Sequence, residues 1–166
     1  MTGADGKSYT SGQATIWRWR EAFQNDFAAR MEWGIKDYAE ANHNPQVVVN
    51  GNHGQEALYL NARVGETLTL SAEGSRDPDG DQLSYNWFLY PEAGMVSVIP
   101  VAASDVQGRR GEDNLQAPAV LALEENGKST TSIKTLHPGT EHLILAVTDN
   151  GKPALTSYRR IIVSSK

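Results

Sequence analysis

The sequence predicts a mainly-β domain, a two-sheet antiparallel sandwich, with one long α-helix at its N-terminal end. Three observations carry this. After Pro45 the hydrophobic period is two, in seven short runs with no helical pattern between them. Turn-forming pairs such as Asn50-Gly51, Asp79-Gly80, Asn126-Gly127 and Asn150-Gly151 separate those runs. Before Pro45 the period is three to four, as in an amphipathic helix. Short strands joined by turns, without crossover helices, bury their apolar faces by stacking two sheets.

Residues 1–14 are polar and rich in Gly and Ser, without the apolar core of a signal peptide. They read as a flexible segment, and Met1 as a start placed inside a longer chain. Residues 15–41 then place Ile16, Trp19, Phe23, Phe27, Met31, Ile35 and Tyr38 on one helical stripe. Thr15 is positioned as N-cap, but Arg18 stands where a capping box needs Glu or Gln. Asp26 and Arg30 are spaced to pair at i,i+4. Asn42-His43-Asn44-Pro45 stops the helix, so residues 15–44 form helix and linker. Trp17 and Trp33 lie on opposite shoulders of the stripe, and Arg20 and Arg30 fall on or near it. Two readings follow. Either the stripe lies on the sandwich with the Arg stems reaching outward, or one face meets another domain. In the second reading Trp17, Arg20, Arg30 and Trp33 are interdomain residues.

The sandwich itself spans 45–166. Its strands are expected at residues 46–50, 66–72, 82–90, 119–123, 129–134, 141–148 and 154–163. In the third, Leu83, Tyr85, Trp87 and Leu89 share one face. Trp87 then becomes the buried tryptophan of an immunoglobulin-like sandwich, met by Leu143, Leu145 and Val147. Residues 97–118 are polar and charged, and read as a long surface loop.

Composition excludes several functions. A net charge of -5 and no basic run speak against a nucleic-acid partner, because phosphate binding needs clustered Lys and Arg. No apolar run approaches the ~20 residues of a membrane span. The absence of cysteine removes disulfides, thiolate nucleophiles and Cys-based zinc sites. The four histidines, at positions 43, 53, 137 and 142, form no metal-binding pair, and no serine sits in a nucleophile elbow. No residue is identified as catalytic.

The stretch Gly74-Ser75-Arg76-Asp77-Pro78-Asp79-Gly80-Asp81-Gln82-Leu83-Ser84-Tyr85-Asn86-Trp87 resembles the signature of PKD-type repeats. The later Val147-Thr148-Asp149-Asn150-Gly151 fits their last strand pair, so the resemblance covers about residues 45–166. It departs at His142–Ala146 and in the loop around Arg109. The helical segment from Thr15 to Met31, followed by Ala41-Asn42-His43, is foreign to those repeats. It is similar to the junction in a bacterial family of cellulose-binding proteins. These carry an N-terminal nucleoside-hydrolase-like domain and a C-terminal sandwich. The resemblance implies a non-catalytic C-terminal accessory module and a hydrolase-like partner domain in the same parent chain. It also implies carbohydrate association and a secreted or periplasmic location.

Two candidate sites emerge. Asp77, Asp79 and Asp81 crowd three carboxylates into five residues, and hard oxygen ligands of this kind suit Ca²⁺. The spacing is not that of an EF-hand, so ligands from elsewhere are required, Asn44 or Asn42 among them; Asp149 is a weaker candidate. The competing reading is an Asx-type turn held by its own backbone. For polysaccharide, Phe88 and Tyr90 alternate outward from Trp87, and Trp17 is a further available ring. They form a stacking platform if exposed, or a floor for the helix stripe of Phe23, Phe27 and Met31 if covered. Exposed rings favour a binding module; buried rings with an uncovered apolar helix patch favour an interdomain module. A third reading makes the chain a fragment that contributes Arg20, Arg30 and the Arg109–Asp113 loop to a hydrolase site.

Overall fold

The computed structural model describes residues 14–93 and 119–166. The expected flexible start and the loop around Arg109–Asp113 lie outside the described residues, except for Ala14.

Two sheets stack face to face. The strands are β1 (Leu58–Ala62), β2 (Thr67–Ser71), β3 (Ser84–Leu89), β4 (Leu121–Leu123), β5 (Thr130–Thr135), β6 (Gly139–Thr148) and β7 (Thr156–Ser165). One sheet has the order β1-β7-β6-β3 and the other β2-β5-β4. Every pairing is antiparallel except β1 with β7. This is the expected immunoglobulin-like architecture, with one exchange of strands. Residues 46–50 make only isolated bridges, Gln46 to Arg76 and Val49 to Asn52. The left-handed Asn50-Gly51 turn, at φ 50 and 74, folds the segment back before a ladder can extend. Val48 N–H is taken instead by Ser75 Oγ at 3.0 Å. The place on the sheet edge goes to β1, which is not among the strands expected from the sequence. Its Leu58 and Leu60 pack on the core and Ala62 is buried, while Tyr59 is exposed.

The core lies between the sheets. Trp87 is fully buried beside Leu70, Leu121, Ile133, Leu143, Leu145, Val147, Ile161 and Val163. Its indole N–H donates to Lys128 O at 3.0 Å, so the ring is buried with its polar atom satisfied. Trp87 pairs with Leu145 in the β3–β6 register, which confirms the predicted contact. Burying side chains of this size contributes roughly 1.5–3 kcal/mol each before entropy is charged against them.

The N-terminal helix is broken where the sequence predicts continuity. It consists of α1 (Ala14–Trp17) and α2 (Arg20–Trp33), with a short 3-10 turn at Tyr38–Glu40. The break at Arg18 and Trp19 turns the Trp19 ring onto the sandwich, and Gly34 ends α2. The face that meets the sandwich is also not the apolar one. Ala29 is buried, Asn25 Nδ2 donates to Ala154 O at 3.0 Å, and Trp33 Nε1 donates to Asn42 O at 2.7 Å. These positions share one side of the helix, and small side chains let its backbone come close. Phe27 and Met31 point away, with Phe27 63% exposed, while Phe23 flanks the outer sheet face beside Ile144 and Tyr158.

Candidate functional site

Strand β6 is buried on both faces, from Glu141 to Val147. Its odd-numbered residues face the core. Its even-numbered residues, His142, Ile144 and Ala146, belong to the outer face of the four-stranded sheet, which one sheet of a sandwich normally leaves to water. Here the α1–α2 segment covers part of that face.

Trp19 organises the cover. Its ring centroid lies 5.1 Å from that of Tyr158, edge-on at 88°, 6.0 Å from Tyr90, also edge-on, and 5.8 Å from Phe88, tilted. Edge-to-face rings place the positive rim of one on the negative face of the next. The Arg18 guanidinium sits over the Tyr90 ring, 5.4 Å from its centroid. Phe88 and Tyr90 are thus half-buried beneath Trp19. From sequence they were expected either open as a platform or covered by Phe23, Phe27 and Met31; Trp19 from the same stripe covers them instead. Trp17 stands on α1 and is 40% exposed. Burial raises the Tyr158 phenol above its ordinary value, partly offset by a hydrogen bond with Thr156.

Beside Trp19 the helix and sheet do not close completely. A cleft of about 550 Å³ runs between α2 and the outer face, floored by Phe88, Ala146 and Tyr158. Asn25 and Asn86 stand on its walls with Thr148 and Thr156, whose hydroxyls are 2.9 Å apart.

The interdomain candidates separate. Arg20 is exposed at the start of α2. Arg30 pairs with Asp26 at 2.7 Å, the predicted i,i+4 contact, and lies over the Trp33 ring. Trp33 is drawn inward, stacking on His43 at 5.7 Å. Among the exposed residues of α2 and its flanks are the apolar side chains of Ile16, Phe23, Phe27, Met31 and Ile35.

The acidic loop sits at the pole of the sandwich where β3 begins. Asp77 Oδ1 accepts the Asp79 N–H at 2.8 Å and the Asp81 N–H at 3.2 Å, an Asx-type arrangement completed by Gly80 at φ 86. Asp79 accepts the His43 N–H at 2.7 Å and faces its ring nitrogen at 3.1 Å. The linker therefore reaches this pole, but through His43 and Asn42. Asn44 donates to Thr156 O at 3.5 Å. Asn42 donates to Asp149 Oδ2 at 3.3 Å and to Pro153 O at 2.8 Å. Among the described residues no three His, Asp or Glu side chains converge as a metal-binding group. The buried Asp77 Oδ2 has no hydrogen-bond partner. Desolvation, and then the charges of Asp77, Asp149 and Asp79, push the Asp81 carboxyl up.

Comparison with known proteins places this geometry. A solved structure described as a nucleoside hydrolase-related hypothetical protein from Saccharophagus degradans, associated with carbohydrate metabolism, is 30% identical, with a TM-score of 0.72. It aligns with 100% of this chain, which spans 40% of that protein's length. The solution structure of the PKD domain from the KIAA 1837 protein is 22% identical over 70% of this chain and 92% of its own, with a TM-score of 0.37. Human CDH23 EC21-23 is 14% identical over 74% of this chain and 33% of its own, with a TM-score of 0.41. No curated protein matches. The family described as cellulose-binding protein Sde0182, C-terminal domain, matches residues 67–165, from the start of β2 to the end of β7. The chain therefore belongs to that family of cellulose-binding-protein C-terminal domains.

Proposed function

We propose that this chain is the non-catalytic accessory module of an exported, carbohydrate-associated protein, and that α2 docks it against a nucleoside-hydrolase-like domain of the same parent. The observation that carries the reading is the orientation of α2. Phe27 and Met31 face away from the sandwich, 63% and 57% exposed, and Phe23, 48% exposed, stands at the edge of the stripe beside Ile144 and Tyr158. Large apolar side chains left open in a row along one helix mark an interaction surface. The family supports the carbohydrate association and the accessory role, and the nucleoside-hydrolase-related relative, more than twice as long as this chain, supports the identity of the partner domain. Export follows from the role, because cellulose is a polymer outside the cell.

The test is a calorimetric titration of this chain with the nucleoside-hydrolase-like domain of its parent protein. A saturable complex is expected, lost in the double variant Phe27→Glu, Met31→Glu while the melting temperature of the chain itself is kept. Failure to bind, or self-association through the stripe, would overturn the docking role.

A further inference from the structure

We infer that the cleft between α2 and the outer face of the β1-β7-β6-β3 sheet is a binding site for a short segment of neutral saccharide. The inference rests on the carbohydrate-associated reading above and gives it a location. None of Phe23, Phe27 and Met31 lines the cleft, and Phe27 and Met31 stand on the other side of α2, so the cleft is distinct from the docking surface.

The cleft measures about 550 Å³, and small-molecule sites commonly occupy about 300–1,000 Å³. Its lining divides by chemistry. Trp19, Phe88 and Tyr158 supply aromatic surface, which suits the C–H faces of a pyranose ring. Asn25, Asn86 and Thr156 supply uncharged donors and acceptors around those rings. The charged side chains on the lining are one Arg18 and one Glu21, of opposite sign. A site for phosphate or another anion would carry an excess of Arg and Lys; a site for an apolar ligand would lack the amides and hydroxyls. Aromatic faces flanked by neutral hydrogen-bonding groups match a polyhydroxylated, uncharged ligand.

The geometry is built by the fold. Asn86 and Phe88 alternate outward from β3, whose inward residue is the core Trp87. Asn86 Oδ1 already accepts from Asn126 Nδ2 at 2.8 Å, which fixes its carboxamide and turns the amide N–H₂ to other acceptors. Across the cleft, Asn25 Nδ2 is committed to Ala154 O, so its side-chain carbonyl is the group left to accept a sugar hydroxyl. One wall thus offers a donor and the other an acceptor, over a floor of rings. Thr148 and Thr156 share a hydrogen bond between their hydroxyls, with one lone proton left to donate.

The test is an NMR titration of the ¹⁵N-labelled chain with cello-, xylo- and manno-oligosaccharides of two to six residues, with adenosine and inosine as further probes. Saturable shifts are expected at the amides of Ala22, Asn86 and Ala146 with an oligosaccharide. Asn86→Ala, which removes a wall, and Ala146→Leu, which fills the floor, should each weaken binding at least about tenfold while melting temperature holds. They lie on different strands, so misfolding of one leaves the other informative. Phe27→Glu, on the opposite side of α2, should leave saccharide affinity unchanged. Saccharide binding insensitive to both cleft variants would overturn the location and leave the carbohydrate reading standing. Binding of nucleosides alone would overturn the ligand class. No binding by any probe would overturn the site, while the docking of α2 is read independently by its own titration.

Discussion

Trp19 stands edge-on to Tyr158, ring centroids 5.1 Å apart at 88°, and this contact seats the N-terminal segment on the sandwich. Trp19→Ala should cost about 1–3 kcal/mol, less than the ~3–5 of a fully buried ring, because Trp19 is only half-buried. With the cover gone, water returns to Tyr158 and its raised phenol should titrate nearer its ordinary value. Chemical denaturation and ultraviolet titration read the two effects. An unchanged stability together with an unchanged phenol titration would show that Trp19 does not hold the segment down.

How much of this was legible in the sequence depends on what each pattern encodes. Period two in residues 82–90 and 141–148 locates β3 and β6 and the Trp87–Leu145 contact, because alternation states which side chains share a face. The same rule did not reveal β1, since LYLNA is short and lies beside a stronger Val run at 46–50. That run is buried, with Val49 fully so, without being a strand: apolar content reports burial and leaves the ladder to turn geometry. The helix shows a sharper limit. Its stripe is real, but a period cannot say whether the stripe faces its own sandwich or another body. Ala22, Asn25 and Ala29, spaced by three and four, were the trace of the sandwich-facing side. Trp19 lies within the predicted stripe, but it stands at the start of α2, where its carbonyl accepts the Phe23 N–H at 3.0 Å, and the break from α1 turns its ring onto the sandwich.

Gly151 is required by a neighbour rather than by its own backbone. A Cβ there would run into the carboxamide of Asn42, which ties the linker to Asp149 and Pro153 O. Gly151→Ala should therefore destabilise by about 1–3 kcal/mol, the usual cost of overpacking. The double variant Gly151→Ala, Asn42→Ala should lose less than the sum of the single effects, because the clash is removed with its partner. Urea midpoints of the four proteins form the cycle; strict additivity would rule out the contact as the cause.

His142 lies on the outer face of β6 and receives Arg160 Nη2 at Nδ1, 2.6 Å away. Burial, and then the Arg160 charge, hold its imidazole below the ordinary value. The folded chain therefore resists protonation while the unfolded chain accepts it near pH 6.5. This contribution to stability is complete above that pH and is lost as pH falls toward the lower folded value. Between pH 7.5 and 5.5 the parent should lose more stability than His142→Gln, whose amide oxygen can still accept from Arg160. Equal losses would place the acid sensitivity elsewhere.

Asp81 has the opposite linkage. Its folded carboxyl is raised, first by desolvation and then by Asp77, Asp149 and Asp79, so its ionised form opposes folding. The penalty is present at neutral pH, shrinks as pH falls through the raised folded value, and vanishes below the unfolded value near 3.9. Asp81→Asn removes the charge and keeps the backbone N–H that Asp77 Oδ1 accepts. It should raise the melting temperature at pH 7 and leave it unchanged at pH 3.5. Calcium supplies a second probe of the same repulsion. A cation held by these carboxylates would raise the parent's melting temperature in proportion to occupancy and leave Asp81→Asn unresponsive. Equal melting in calcium and in chelator would identify the loop as an Asx turn that closes on its own backbone, with the carboxylate repulsion left as its standing cost.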